Sequence, residues 1–299
     1  MKFLKSLSLY ILLLFTPLFL TSCFSKYRTT AREVRKHYAK KEVKPRVMCI
    51  ENDTICVQVA TVGADTLPML LLIHGAPGAW WGYMNLLDDP ELQKRFHIVS
   101  VDRLGYGKSR WKKKRHVTSI EMHARSLLPV LKLNKSKEKV VVLGRSYGAP
   151  IAAQLTVLAS EEVKQLIMVS PVIDPDKERF YWFSKWGRNP IVKLFLPREF
   201  NAATAEKYSH SAELRRMLPI WENLTVPTTV IQGGNDWIAD PANIEFAKKH
   251  IPSAQAQYIY LPKAGHMITF SHKDMIKEMV LKSNMYVDRT ITVDFASGR

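Results

Sequence analysis

Residues Val140 to Gly148 read VVVLGRSYG, and Ala149–Ser160 follow with a helical pattern. Val140–Leu143 is an unbroken apolar run, the mark of a strand buried on both faces. Gly144 and Gly148 then frame Ser146 in the pattern G-x-S-x-G. That pattern alone is a weak signal. Between a strand and a helix it describes a sharp turn that lifts the Ser146 hydroxyl above the end of a sheet. Side chains two residues to either side would keep strand and helix from closing, hence the two glycines. Pro150 suits a first helical turn, where its missing N–H costs nothing.

Similar apolar runs recur on both sides. Pro68–His74 (PMLLLIH), His97–Val101 (HIVSV), Gln165–Ser170 (QLIMVS), Thr228–Gln232 (TTVIQ) and Gln257–Leu261 (QYIYL) read as strands. Val117–Leu133, Pro241–His250 and His272–Met285 read as helices between or after them. Buried strands alternating with helices predict a mostly parallel, doubly wound α/β sheet. Val47–Ile50 and Ile55–Val62 flank a turn at Asn52-Asp53 and add an antiparallel hairpin at the N-terminal edge. Asp174–Leu224 breaks the rhythm: it holds no clear strand and is rich in aromatics, among them Phe180, Tyr181, Phe195, Phe200 and Tyr208. It reads as a helical insertion whose aromatics line a pocket or, for the larger part, form its own small core. The core is thus expected at 47–173 and 225–299, with the insertion at 174–224.

A serine hydroxyl needs a base. His266 is the expected base, on a loop directly after the last strand. Asp236, in GGND just past TTVIQ, is the expected carboxylate to orient it. Asp240 competes but precedes Pro241 as a helix cap; Asp174 is a second alternative. The oxyanion needs backbone N–H donors. Tyr147, after the nucleophile, is one. Ala76, in the loop His74-Gly75-Ala76-Pro77-Gly78, is the other, since Pro77 has no N–H to give. His74 is read as an organiser of that loop. Trp80 and Trp81 beyond it, and Arg145 beside Ser146, are expected to face the substrate.

Taken in order, HGAPG, DRLGYGKS (102–109), GRSYG, GGND and AGH (264–266) resemble the α/β-hydrolase superfamily over roughly residues 68–285. The resemblance implies that fold, the order Ser146, Asp236, His266 for the triad, a cap at 174–224, and a mechanism with no cofactor. It also implies that Asp102–Ser109 is a structural loop beside the site, so neither Asp102 nor Ser109 is taken as catalytic. HGAPG and DRLGYG resemble epoxide hydrolases and haloalkane dehalogenases too, but here the nucleophile is Ser rather than Asp. HGAPG is similar to proline iminopeptidases as well, which recognise an amine with acidic groups; here the cap carries nine Lys/Arg against seven Asp/Glu. No metal-ligand cluster stands out.

The chain has 299 residues, 44 Lys+Arg and 27 Asp+Glu, a formal net charge of +17. With 46% hydrophobic residues it is not a disordered chain. The basic balance would suit nucleic acid, but no nucleic-acid motif accompanies it. Met1–Leu20 instead has the basic start and short apolar stretch of a signal peptide. Leu20-Thr21-Ser22-Cys23 resembles the cleavage and lipidation motif of bacterial lipoproteins. That implies a signal peptide over 1–22, lipid on Cys23, a basic tether over 23–46 beside the membrane, and an exported, anchored protein. A second basic run, Arg110–Arg115, follows DRLGYGKS and is expected on the rim of the site, facing anionic substrates or headgroups, or simply solvated. Cys49 and Cys56 would face each other across the hairpin; two buried thiols are favoured over a disulfide, because sulfur is a common core filler. The expected function is a membrane-anchored serine hydrolase acting on esters. Amide or peptide hydrolysis by the same residues, haloperoxidase chemistry and a silent anchored binding protein are the alternatives.

Overall fold

Met69–Ile73 (MLLLI) is five apolar residues long, and all five are fully buried. Successive strand side chains point to opposite faces. Met69, Leu71 and Ile73 therefore enter the core shared with helices 120–131 and 148–158, while Leu70 and Leu72 are buried on the other face. A strand buried on both sides belongs in the middle of a sheet with a helical layer on each face, and that is where it lies.

The protein is seen in a computed structural model that describes residues 29–112, 116–252, 254 and 256–283. The signal segment 1–22, Cys23 and Lys113–Arg115 of the basic run lie outside the described residues. Among the described residues there are nine strands: β1 (Arg46–Glu51), β2 (Ile55–Val62), β3 (Met69–Ile73), β4 (His97–Val101), β5 (Arg110–Trp111), β6 (Val140–Arg145), β7 (Val163–Val169), β8 (Thr228–Gly233) and β9 (Ala256–Leu261). They form one sheet in the order β1-β2-β4-β3-β6-β7-β8-β9, with β5 paired to β2. β2 runs antiparallel to β1, β4 and β5; every other pairing is parallel. Among the described residues the helices of eight or more residues are α1 (Ala31–Ala39), α2 (Ile120–Leu131), α3 (Gly148–Leu158), α4 (Arg198–Met217), α5 (Asn243–His250) and α6 (Lys273–Ser283). This is the mixed sheet of an α/β-hydrolase fold, as the sequence predicts.

The described residues fall into two compact units divided between Lys44 and Pro45. The first contains α1, inside the basic stretch. Thr30 and Glu33 close its N-terminus reciprocally: Glu33 N–H donates to Thr30 Oγ1 at 3.3 Å, and Thr30 N–H to Glu33 Oε2 at 2.7 Å. None of the described helices is long and apolar enough to cross a membrane.

Two expectations for the hairpin are corrected. Asn52 N–H donates to Ile55 O, so the turn is Asp53-Thr54, one residue later than expected. The Asn52 side chain decides this by accepting from the N–H groups of both Thr54 and Ile55. In the resulting register Cys49 faces Gln58, and Cys56 faces Glu51. The cysteines are nonetheless joined by a disulfide with their Cα atoms 5.7 Å apart, rather than being free thiols. A diagonal pair in a twisted two-stranded ribbon comes within bridging distance. Replacing both cysteines with alanine should lower the unfolding free energy by about 2–3 kcal/mol, the entropy of closing so short a loop. Denaturant midpoints of the native chain and the double variant measure it.

Candidate active site

β6 delivers Ser146 to the C-terminal edge of the sheet. Its backbone adopts φ +55°, in the left-handed region, although it is not glycine. The turn is held at both ends, since Ser146 N–H donates to Val169 O at 3.0 Å and Ala149 N–H donates to Ser146 O at 2.9 Å. A β-carbon at Gly144 would fall 2.5 Å from Gly148 O, and one at Gly148 2.4 Å from Ile73 O. Both glycines are thus required by close backbone approach, as the motif predicts. Ser146 itself is almost buried, at 7% exposure.

The loops after β8 and β9 are laced together: Gly234 N–H donates to Leu261 O and Asn235 N–H to Ala264 O. This brings Asp236 to His266. Asp236 Oδ1 accepts from the N–H groups of Ile238 and Ala239, while Oδ2 stands 2.8 Å from His266 Nδ1. A carboxylate at Nδ1 fixes the proton there and leaves Nε2 with its lone pair. The competing carboxylates are occupied elsewhere. Asp240 caps the turn into α5 through Ala242 N–H and pairs with Arg179, and Asp174 accepts from Asp176 N–H.

Ser170 joins the two halves and was not marked by the sequence. It too has a positive φ, +46°, and is fully buried. Its N–H donates to Ile231 O at 2.8 Å and its hydroxyl to His266 O at 3.0 Å. The Val169-Ser170 turn therefore braces the serine through one residue and the histidine through the next. As the last letter of QLIMVS, Ser170 carried no signal beyond its place at a strand end.

The loop after β3 lies against the serine: a β-carbon at Gly75 would come 2.9 Å from Ser146 Cβ. Among the described residues the N–H groups of Ala76 and Tyr147 have no protein acceptor. His74 is held in the middle of this loop, with Nδ1 2.6 Å from Gly75 O and Nε2 accepting from Arg103 N–H at 3.0 Å. Burial, and then the Arg103 charge, push its pKa well below the ordinary histidine value. It is a neutral structural group, as expected. Asp102 is also structural: it accepts from the N–H groups of Trp80 and Lys108, and burial raises its carboxyl to about 6. Trp80 is buried and Trp81 half-buried, their rings edge to face at 5.7 Å. The Arg145 guanidinium donates to Thr269 Oγ1 and lies near the rings of Tyr83 and Phe270; burial lowers its pKa.

The cap departs most from expectation. Phe180 and Phe195 are exposed and Tyr181, Phe200 and Tyr208 half-buried, while Trp221 of the same segment is fully buried. Half of what α4 buries is ionisable: Glu206, His210 and Glu213 share its inward stripe with Ala202, Leu214 and Met217. Glu206 receives Arg103 through two hydrogen bonds, at 2.6 and 3.1 Å, with both side chains completely buried. Tyr106 donates to the same carboxylate at 2.6 Å, and His123 Nε2 stands 3.1 Å from it. Arg103 also donates to His74 O and Gly75 O, so one guanidinium ties the cap helix to the loop of Ala76. Burial would raise the Glu206 carboxyl, but the Arg103 charge and the hydrogen bonds from His123 and Arg103 hold it at about 2.

With this geometry in view, comparison with known proteins identifies the family. Residues 68–217 match the alpha/beta hydrolase fold family. The chain belongs to it. Relatives include the AB hydrolase superfamily protein YfhM of Bacillus subtilis (strain 168), 25% identical over 122 residues. That match takes in 40% of this chain and 42% of the Bacillus protein, so it spans less than half of either. Epoxide hydrolase 3 of Mus musculus is 20% identical over 267 residues, covering 75% of this chain and 72% of its own. Among solved structures, a membrane phospholipase A described as a bacterial virulence factor superposes with a TM-score of 0.64 at 18% identity, over 95% of this chain and 99% of that one. Such identities speak for the fold.

Glu206→Gln leaves Arg103 buried without a counter-charge and should cost about 3–5 kcal/mol. The pH dependence has a definite sign. A carboxyl held at about 2 in the fold, against an ordinary 4.5, stabilises the protein above pH 4.5, and that contribution is lost as pH falls toward 2. Urea midpoints should fall over this range in the native chain and fall less steeply in the variant.

Proposed function

We propose that this protein is an exported, membrane-anchored serine hydrolase that cleaves carboxylic esters through an acyl-enzyme on Ser146. The observation that carries the reading is the buried His266–Asp236 pair, whose geometry leaves His266 Nε2 free to take a proton at the same sheet edge that presents Ser146. In the first step Ser146 Oγ attacks the ester carbonyl and its proton passes to His266 Nε2. Asp236 holds the ring and offsets the imidazolium charge. The N–H groups of Ala76 and Tyr147 receive the oxyanion. Collapse of the tetrahedral intermediate breaks the ester C–O bond, and the leaving alcohol takes the proton from His266. Water, deprotonated by His266, then attacks the acyl-enzyme and releases the carboxylic acid and Ser146. Arg145, Trp80 and Trp81 border this route and bear on which ester is accepted.

The likeness to an epoxide hydrolase raises a different chemistry, opening of a strained ring by a carboxylate. The residue at the apex of the turn here is a serine, which favours the acyl-enzyme. Amide hydrolysis by the same residues is the second reading. Export and anchoring are supported by the signal-like start with Leu20-Thr21-Ser22-Cys23, and by the Cys49–Cys56 disulfide, a bond suited to an oxidising compartment.

A fluorophosphonate probe should label Ser146 in the native chain and fail to label Ser146→Ala or His266→Ala. Absence of labelling on native, folded protein would overturn the reading. Asp236→Asn should keep the fold and lose about 10³–10⁴-fold in kcat on a simple aryl ester, because the imidazole would adopt the wrong tautomer. A screen of esters against amides separates the two chemistries, and the mass of the N-terminal peptide decides whether Cys23 bears lipid.

A further inference from the structure

The short helix Pro190–Phe195 is turned inside out. Ile191, Leu194 and Phe195 follow the i, i+3, i+4 spacing of a single stripe, and in a globular helix that stripe faces the core. Here it faces away, with exposures of 68%, 82% and 80%. The orientation is built in. Asn189 caps the helix by accepting from the N–H groups of Ile191 and Val192. On the inner side Asn201 of α4 donates to Lys193 O at 2.9 Å and Leu196 O at 3.2 Å. Polar contacts thus fix the helix to the cap and hold its apolar side outward.

Charge says what that side meets. From Arg179 to Arg198 the chain has five basic residues and no acidic one, interspersed with three tryptophan and phenylalanine residues at 182, 183 and 186 and with the aliphatic stripe. Arg179 is taken up by Asp240, and Arg198 donates to Ser109 O. Lys185, Arg188 and Lys193 have no carboxylate partner among the described residues, and Arg188 lies over the Tyr208 ring. Large apolar side chains with unpaired basic residues and no acids are the composition of a segment that lies in a bilayer interface, apolar groups among the acyl chains and cations among anionic headgroups.

We propose that Pro190–Phe195 is an interfacial anchor that seats the cap in an anionic lipid surface, so that the site draws its ester from the membrane. The idea rests on the reading of the protein as a membrane-held hydrolase and adds a second, cap-side contact to the proposed lipid on Cys23.

The test places a nitrobenzoxadiazole label at Leu194→Cys in the full chain carrying Cys23→Ser; Cys49 and Cys56 are joined, so the new thiol is the one labelled. The vesicles are equimolar phosphatidylglycerol and phosphatidylcholine with a nitroxide on the acyl chain. The label should be quenched by more than half, and less so in about 0.5 M salt, where headgroup attraction is screened. A label at Glu161→Cys, where the native side chain is 96% exposed, should remain bright. Leu194→Ser with Phe195→Ser should cut turnover of a vesicle-embedded ester about tenfold or more while leaving a water-soluble ester unchanged. A label at 194 that stays bright, whether or not the chain binds the vesicles, overturns the proposal. So does one already shielded from water without lipid, because another part of the chain or a second copy would then cover the stripe. Failure here leaves the hydrolase and lipid-anchor readings to the Ser146 labelling and the Cys23 mass, which are measured separately.

Discussion

The left-handed backbone at Ser146 is the constraint on which the rest of the site depends. A non-glycine residue there costs about 1–2 kcal/mol, so the conformation persists only because the surroundings leave no other. Gly144 meets the backbone of α3, Gly148 meets the last carbonyls of β3, and the Ser146 N–H is tied to the end of β7. Three strands and a helix therefore converge on a single residue. A second positive φ, at Ser170, lets the adjoining strand end turn in the same direction and reach the histidine loop. Serine and histidine are thus referenced to the same two adjacent residues, Val169 and Ser170.

The insertion is joined to this frame by charge as well as by apolar packing of Leu214, Met217, Trp221 and Leu224 into the core. Glu206 arrives from α4 into a pocket already supplied with a guanidinium, a phenol and an imidazole, and the guanidinium's remaining donors are used by two carbonyls of the loop after β3. A buried ion pair repays its desolvation only when its lone pairs and protons are satisfied, and here they largely are. The directional fit fixes the rotation of α4 about its own axis, which an apolar stripe would define loosely.

Much of this was legible. The six parallel-type apolar runs, the glycines of the sharp turn and the positions of Asp236 and His266 past their strands all carry local signals, because a strand buried on two faces needs continuous hydrophobicity and a tight turn needs glycine. What was not legible depends on partners distant in sequence. Two-residue β5 has no pattern of its own and exists because Ile55 and Cys56 offer it an edge. The hairpin register turned on one Asn side chain, and that choice moved the cysteines onto a diagonal. Glu206 looks like any helix glutamate until Arg103, about a hundred residues earlier, is brought to it. His210 and Glu213 are as silent in the sequence as Glu206, since ionisable residues on a helix ordinarily face water.

The placement of Arg103 limits how freely cap and core can be recombined. Its guanidinium belongs to the core loop and is fully buried, yet its counter-ion comes from the insertion. A chimera that keeps 47–173 and 225–299 but takes its insertion from another hydrolase would strand a cation in the interior unless the donor helix brings a carboxylate at the position of Glu206. The insertion is therefore not an interchangeable module: it and the loop after β4 form one electrostatic unit and have to be exchanged as a pair.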